Sequence, residues 1–302
     1  AKYTVAYADD QNGNLTVTNT HIPAKTDIEG KKTWSDNNDQ DGKRPDSISL
    51  KLIKVVNNQR TELSKTPDWT KSGNIWNYKY TDLPVYENGV KITYVVEEAV
   101  VPDGYSVSYA GNDITNSYNP EKTSVSGKKI WSDSDNQDGI RPKDITLKLY
   151  SQVTGGEKEE VEATPTWIKG ENEWSYSYKD LPKYKDGKEI TYTVEETEVP
   201  KGYTKSQAGT TITNTHTPAT TEISGKKIWS DGDNQDGIRP EKITLKLYSQ
   251  VTGGEKEEVA ATPTWVMVEN EWSYSYKDLP KYKDGKEITY TVEETEVPKG
   301  YT

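Results

Sequence analysis

Three copies of one short stretch, set at a constant interval, constrain this chain more than any other feature. Thr-Val-Thr-Asn-Thr-His at 16–21, Asp-Ile-Thr-Asn-Ser-Tyr at 113–118 and Thr-Ile-Thr-Asn-Thr-His at 211–216 place Asn19, Asn116 and Asn214 at separations of 97 and 98 residues. A period of that length is the size of a small domain, so the 302 residues read as tandem units rather than one large domain. Each stretch alternates (Leu15, Val17, Asn19; Ile114, Asn116; Ile212, Asn214), which predicts a strand whose asparagine shares a face with its aliphatic residues. A buried amide needs a partner.

The repeat sets the domain bounds. Residues 1–23 read as the closing strand of a preceding repeat, since Ala-Lys-Tyr-Thr at 1–4 resembles Lys-Gly-Tyr-Thr at 201–204. Repeat one runs over 24–120, repeat two over 121–218, and repeat three over 219–302 without a closing strand of its own. Segments 127–204 and 225–302 differ at seven positions, and repeat one is a divergent copy.

Within a unit the same order recurs. An opening strand (Ile28 to Trp34, Val125 to Trp131, Ile223 to Trp229) leads to a polar Asp-Gly-x-Arg-Pro loop, then Ile-Thr-Leu-Lys-Leu-Tyr, a Thr-Gly-Gly turn and Glu-Trp-Ser-Tyr-Ser-Tyr. Leu-Pro-Lys-Tyr with an Asp-Gly turn, Glu-Ile-Thr-Tyr-Thr-Val-Glu-Glu, Pro-x-Gly-Tyr and the asparagine strand complete it. Apart from a possible turn near Leu181 no helical period stands out. Roughly seven short strands separated by turn signals predict an all-β sandwich.

Composition narrows the function. A net charge of −11 without a basic patch argues against nucleic acid and anionic membrane as partners. The apolar fraction is only 31 %, yet 9 Trp and 21 Tyr supply large buried areas. Cysteine is absent, so there is no disulfide or thiolate metal site. No apolar run is long enough for a membrane span or signal peptide, so the chain reads as an interior section of something larger. No phosphate loop, nucleophile elbow or metal signature occurs, and no cofactor is expected.

Three polar residues per unit fall on inward parity. Lys32, Lys129 and Lys227 share a face with Trp34, Trp131 and Trp229; Glu98, Glu196 and Glu294 share one with Tyr94, Tyr192 and Tyr290. With the asparagine strand added, each complete sandwich encloses one Lys, one Glu and one Asn. Burial disfavours both charges, lowering a lysine pKa and raising a glutamate pKa, and sharing a proton relieves both. A neutral amine is a nucleophile, and a protonated carboxyl can polarise the asparagine carbonyl and carry a proton to the departing ammonia. Fixed contact in a dry core supplies effective molarities of roughly 10⁵–10⁸ M. In one repeat, surface residues with the alternation mis-phased by one, or a plain buried ion pair, explain the pattern better; the same parity in three repeats, together with a family resemblance, reverses that preference.

The Gly-Lys-Lys-x-Trp opening, the Asp-Gly-x-Arg-Pro loop, the Tyr-x-Val-x-Glu strand before Pro-x-Gly-Tyr, and the closing Thr-Asn-Thr-His-x-Pro together resemble the Cna B-type repeats of Gram-positive cell-wall adhesins and pilins. The resemblance covers the whole chain. It implies tandem inverse immunoglobulin-like sandwiches in an elongated rod, an extracellular stalk anchored to the cell wall by a signal elsewhere, and autocatalytic Lys–Asn isopeptide bonds assisted by Glu. Carried over, Lys32 joins Asn116 with Glu98, and Lys129 joins Asn214 with Glu196. Lys227 and Glu294 have no acceptor in their own repeat.

Two expectations concern the ends. Either the Asn19 strand of one molecule completes repeat three of the next by strand addition, Asn19 bonding Lys227 with Glu294 assisting, or both ends are those of an arbitrarily cut fragment. The host ligand is not legible and is expected to bind another region.

Asp133 to Gly139 superficially resembles a calcium loop, but glycine falls one place late and no bidentate Glu follows, so an Asx-bonded turn is preferred. Trp174, Tyr176 and Tyr178 form either core or a sugar-stacking platform, the latter making a glycan- or host-protein-binding module the alternative function. His21 and His216 lie too far apart in the sequence to make a metal site or a catalytic pair.

Overall fold

The computed structural model describes residues 2–302; Ala1, the first residue of the Ala-Lys-Tyr-Thr match, lies outside them. No helix occurs among the described residues. By compactness the chain forms two units, one comprising 1–123, 153–156 and 180–190, the other 124–152, 157–179 and 191–302.

In the first unit, residues 25–117 build a sandwich. One sheet has five strands in the order Ser106–Ala110, Asp113–Ser117, Lys25–Ser35, Ile75–Pro84, Asp68–Ser72. The other has three, Thr93–Glu98, Leu50–Val56 and Gln59–Leu63. Period-2 alternation decides which side chains enter: Ile75–Pro84 buries Trp76, Tyr78, Tyr80 and Leu83 and leaves the residues between them more accessible. Tyr78, Tyr80 and Leu83 meet Leu52, Val96 and Ile114 in one apolar cluster, and Trp34, Trp76 and Tyr105 form a second one. Aromatic edges pack on aromatic faces there, Trp34 against Trp76 at 5.1 Å and against Tyr105 at 5.2 Å.

The opening strand runs parallel to the closing strand, with Lys32 opposite Ile114 and Asn116 opposite Trp34. Its other neighbour is antiparallel and bulged between Thr26 and Ile28, close to Asp82, whose φ is 59°. The matching residue in repeat two is Asp180, with φ 57°, so the turn signal expected near Leu181 is a left-handed residue inside the strand Glu173–Pro182.

The second repeat follows the same order, Thr166–Lys169, Glu173–Pro182, Lys122–Ser132, Thr211–Thr215, Thr204–Ala208, over a four-stranded sheet. The third has a four-stranded sheet and only three strands opposite it, with Thr220–Ile228 at the edge. The strand count of roughly seven is therefore too low for a complete repeat. Ser106–Ala110 and Thr204–Ala208, which hairpin onto the asparagine strands, and short pairs such as Tyr86–Glu87 with Val90–Lys91 escaped the sequence reading. For Ser106–Ala110 the signal was present in the Tyr-x-Val-x-Tyr alternation from Tyr105 to Tyr109, whereas Thr204–Ala208, Thr-Lys-Ser-Gln-Ala, has no apolar alternation.

Thr4–Asp9 and Leu15–Thr20 pair only with each other, with Val5 opposite Asn19. Both strands are exposed along their whole length, including Tyr7 at 70 % and Leu15 at 66 %.

Candidate functional site

Lys32 reaches inward from the opening strand and Asn116 from the parallel closing strand, two residues out of register on the same face. Glu98 ends a strand of the opposite sheet. The three side chains meet between the sheets, Lys32 and Asn116 fully buried and Glu98 nearly so. Lys32 Nζ lies 3.3 Å from Glu98 Oε2, and Asn116 Nδ2 donates to Glu98 Oε1 at 3.1 Å. One carboxylate thus holds the amine on one oxygen and the amide nitrogen on the other.

The second repeat reproduces this arrangement. Lys129 Nζ pairs with Glu196 Oε2 at 3.5 Å, while Asn214 Nδ2 donates to Glu196 Oε1 at 2.9 Å. In the third repeat Lys227 Nζ is 2.7 Å from Glu294 Oε2, and both side chains are one-fifth exposed. That pair opens into a cavity of about 610 Å³ lined also by Trp229, Asp231, Asp236, Ile238 and Tyr301. Asn19 sits in the exposed N-terminal hairpin.

Burial pushes the Lys32 and Lys129 amines down to about 8, the loss of water outweighing the attraction of Glu98 and Glu196. Trp34 and Trp131 lie under the two ammonium groups, at 4.6 and 4.5 Å from ring centre to Nζ. The asparagine carbonyl oxygens, Asn116 Oδ1 and Asn214 Oδ1, are buried without a hydrogen-bond partner. In both repeats the carboxyl touches the amide nitrogen of the asparagine, and the carbonyl that a protonated carboxyl is expected to polarise lies without a partner.

The polar loops are held from within. Asp36 is buried and paired with Arg44, and it accepts from Tyr105 Oη at 2.8 Å and the Asp39 N–H at 3.1 Å. Asp133 does the same with Arg141, Tyr203 and Asn136. The Asx-bonded turn expected at Asp133 is present, the Asn136 N–H donating to its Oδ1 at 3.1 Å; the arginine and tyrosine partners are signalled in the sequence only by the recurring Asp-Gly-x-Arg-Pro and Pro-x-Gly-Tyr. Among the described residues no group of three or more His, Asp or Glu side chains could hold a metal. Trp174, Tyr176 and Tyr178 are buried, which removes them as a sugar platform.

Parallel first and last strands that carry a lysine and an asparagine, with a glutamate from the facing sheet touching both, define a class of tandem β-sandwich with a Lys–Glu–Asn cluster buried between its sheets. The chain belongs to the Cna protein B-type domain family, matched over residues 28–117, 125–215 and 223–302. It is 41 % identical over 305 residues to a collagen adhesin of Staphylococcus aureus, a match covering 99 % of this chain and 24 % of that protein. The chain thus spans about a quarter of that relative. Two solved structures resemble it: the B1B2 repeat pair of the S. aureus collagen-binding protein and the single B1 unit of the same protein. The pair is 36 % identical, with 99 % of this chain and 75 % of that one covered, at TM-score 0.49. The single unit is 33 % identical, with 65 % and 100 % covered, at TM-score 0.26.

Proposed function

We propose that this chain is a section of the stalk of a bacterial surface adhesin, displayed outside the cell, in which each complete sandwich is closed by an isopeptide bond. The observation that carries this reading is the single buried carboxylate in contact with both a lysine amine and an asparagine amide, present twice.

The step balances as an aminolysis. The neutral Lys32 amine attacks Asn116 Cγ, a C–N bond forms, the Cγ–Nδ2 bond breaks, and one ammonia leaves. Glu98 takes the ammonium proton to give the free amine. Once protonated, its carboxyl donates to Oδ1 after a half-turn of the amide, delivers that proton to the leaving nitrogen, and as carboxylate takes up the second proton from the newly bonded Lys32 nitrogen, leaving a neutral amide and free ammonia. Lys129, Glu196 and Asn214 act in the same way. One turnover suffices, since the product is the fold itself. The bond ties first strand to last, so tension between the termini loads the covalent bridge and shields the residues between them.

At the third repeat, Lys227 and Glu294 stand ready for an asparagine supplied by a strand added along the open edge of Thr220–Ile228. The Asn19 hairpin of a second copy carries the required residue, which makes head-to-tail joining the companion reading. An intact mass under denaturing conditions tests both. Loss of two ammonia units in a monomer supports the bonds in repeats one and two; covalent multimers support the third; the unmodified mass refutes all three.

A further inference from the structure

The hairpin strands Ser106–Ala110 and Thr204–Ala208 each form the edge of a five-stranded sheet and pair only with the asparagine strand. In each of them one residue stands directly opposite the asparagine, Val107 opposite Asn116 and Lys205 opposite Asn214. Directly opposed residues of an antiparallel pair share a face, so these two side chains flank the buried cluster from the sheet edge. Val107 is half-buried and packs on the apolar cluster of its repeat. Lys205 is exposed overall, yet its ammonium crosses to the facing sheet and donates to the backbone carbonyl of Glu196 itself at 2.7 Å. Two positions further on, Tyr109 Oη accepts from the Glu98 N–H at 3.2 Å, and Gln207 Nε2 donates to Val194 O at 2.7 Å. Both hairpins therefore reach over to the glutamate strand. Only the second brings a charge there.

Beneath these covers the two clusters match, with the same three residue types, the same tryptophan under the amine and the same carboxylate contacts. The other titratable groups around Lys129 add no net charge near neutral pH. Burial pushes the Tyr176 and Tyr178 hydroxyls of the neighbouring strand up to about 12 and raises that of Tyr192 on the Glu196 strand. Across the Trp131 ring, the Arg141 guanidinium is paired with Asp133. Burial is the chief cause of the low Lys129 value, the Glu196 charge opposes it, and the Lys205 charge adds to the lowering; on Lys32 only burial and Glu98 act. A cation beside a pair that shares one proton favours loss of that proton.

We propose that Lys205, standing opposite Asn214 with its ammonium on the Glu196 carbonyl, is a positioning residue that tunes the Lys129–Glu196 pair, so that the second repeat loses its working proton at a lower pH than the first and closes its bond more slowly above neutral pH. The inference rests on the isopeptide reading of the two cores and deepens it. Lys205 touches neither reacting atom; it acts through the glutamate strand and through its charge, and it adds no covalent step. Because the ammonium is open to water, its effect is screened and modest, about threefold in rate. The consequence is an order of closure, with Lys32 and Asn116 joining ahead of Lys129 and Asn214, and the lag growing as pH rises.

The test follows both bonds in one full chain, so that each is the control for the other. Chain recovered unfolded before either bond has formed is refolded at a series of pH values, quenched and digested, and the linked peptides that join Lys32 with Asn116 and Lys129 with Asn214 are counted by mass. Lys205→Met is expected to speed the second bond about threefold above neutral pH, to move the pH at which it slows upward, and to leave the first bond unchanged. Lys205→Arg, which keeps the charge, should keep the parent profile, and salt at about 1 M should move the parent toward Lys205→Met. A second-bond profile unmoved by Lys205→Met, or moved equally by Lys205→Arg, overturns the role of Lys205 and leaves the bonds standing. If neither bond forms in any variant, the isopeptide reading fails, and side-chain NMR of the free Lys129 amine decides the tuning. A titration midpoint higher in Lys205→Met than in the parent upholds it, and an unchanged midpoint overturns it.

Discussion

Lys32 and Asn116 stand on adjacent parallel strands, two residues out of register, with both side chains directed into the same dry space. Parallel pairing of first and last strands is what makes a cross-link between them mechanically useful, because it joins the two ends of the sandwich. A loop of about 85 residues closed this way stabilises by roughly 4–5 kcal/mol if it acts as a disulfide does.

Replacing the carboxylate separates chemistry from packing. Glu98→Gln leaves the amide contact possible but removes the proton carrier, and it strands the Lys32 charge in a buried site. The chain is expected to keep one more ammonia unit than the parent and to lose about 3–5 kcal/mol of stability in the first repeat. Denatured mass and denaturant titration read the two effects; an unchanged mass loss would remove Glu98 from the mechanism.

The amines set a pH dependence. With Lys32 and Lys129 at about 8, well below the usual 10.5, the pair that shares one proton between amine and carboxyl dominates below that point and loses its proton above it. Since the proton taken from the amine is the one the carboxyl later delivers, bond formation after rapid refolding should hold level below about 8 and slow above it. In a chain that cannot cross-link, such as Asn116→Ala with Asn214→Ala, the unfolded lysines bind protons that the folded ones have released between pH 8 and 10.5. Stability should therefore rise across that interval. A flat rate from pH 6 to 9 would contradict the assignment.

The junction at His216 titrates in the opposite sense. Its ring contacts two acceptors, Asp138 Oδ2 and Gly202 O, both at 2.9 Å, so the protonated ring can donate from both nitrogens at once. The hydrogen bond to Asp138 raises its pKa above 6.5. A raised folded value means that the contact stabilises fully below 6.5 and fades as pH climbs through the folded pKa. Ring proton shifts followed by NMR should give a His216 midpoint above 6.5 that falls in Asp138→Asn; a midpoint indifferent to that change would sever the link.

Gly127 has no room for a side chain, since a Cβ there would collide with Thr210 O and with the Tyr176 hydroxyl. At Gly30 the obstacles are Asn112 O and the Tyr78 hydroxyl, the latter at 2.7 Å. Gly127→Ala or Gly30→Ala should cost about 2–4 kcal/mol by forcing the asparagine hairpin off the opening strand. Thermal unfolding measures this, and a loss below about 0.5 kcal/mol, the ordinary surface range, would show that the hairpin yields freely.

Much was legible in the chain itself, because strand parity is local. Alternation along Gly30, Lys32 and Trp34, along Tyr94, Val96 and Glu98, and along Ile114 and Asn116 fixes which side chains share a face, and a strand has only two. The 97–98 residue spacing set the repeat, and the recurring Asp-Gly-x-Arg-Pro marked a loop worth keeping. Which strands lie side by side is not local. The diagonal offset of Lys32 and Asn116, the arrival of Glu98 from the facing sheet, and the choice of amide nitrogen over carbonyl follow from packing two sheets together. The linker contacts of Asp41 and Asp138 were invisible for the same reason: each acid lies about 80 residues from the N–H it accepts, and only the folded chain brings that N–H within 2.8 Å.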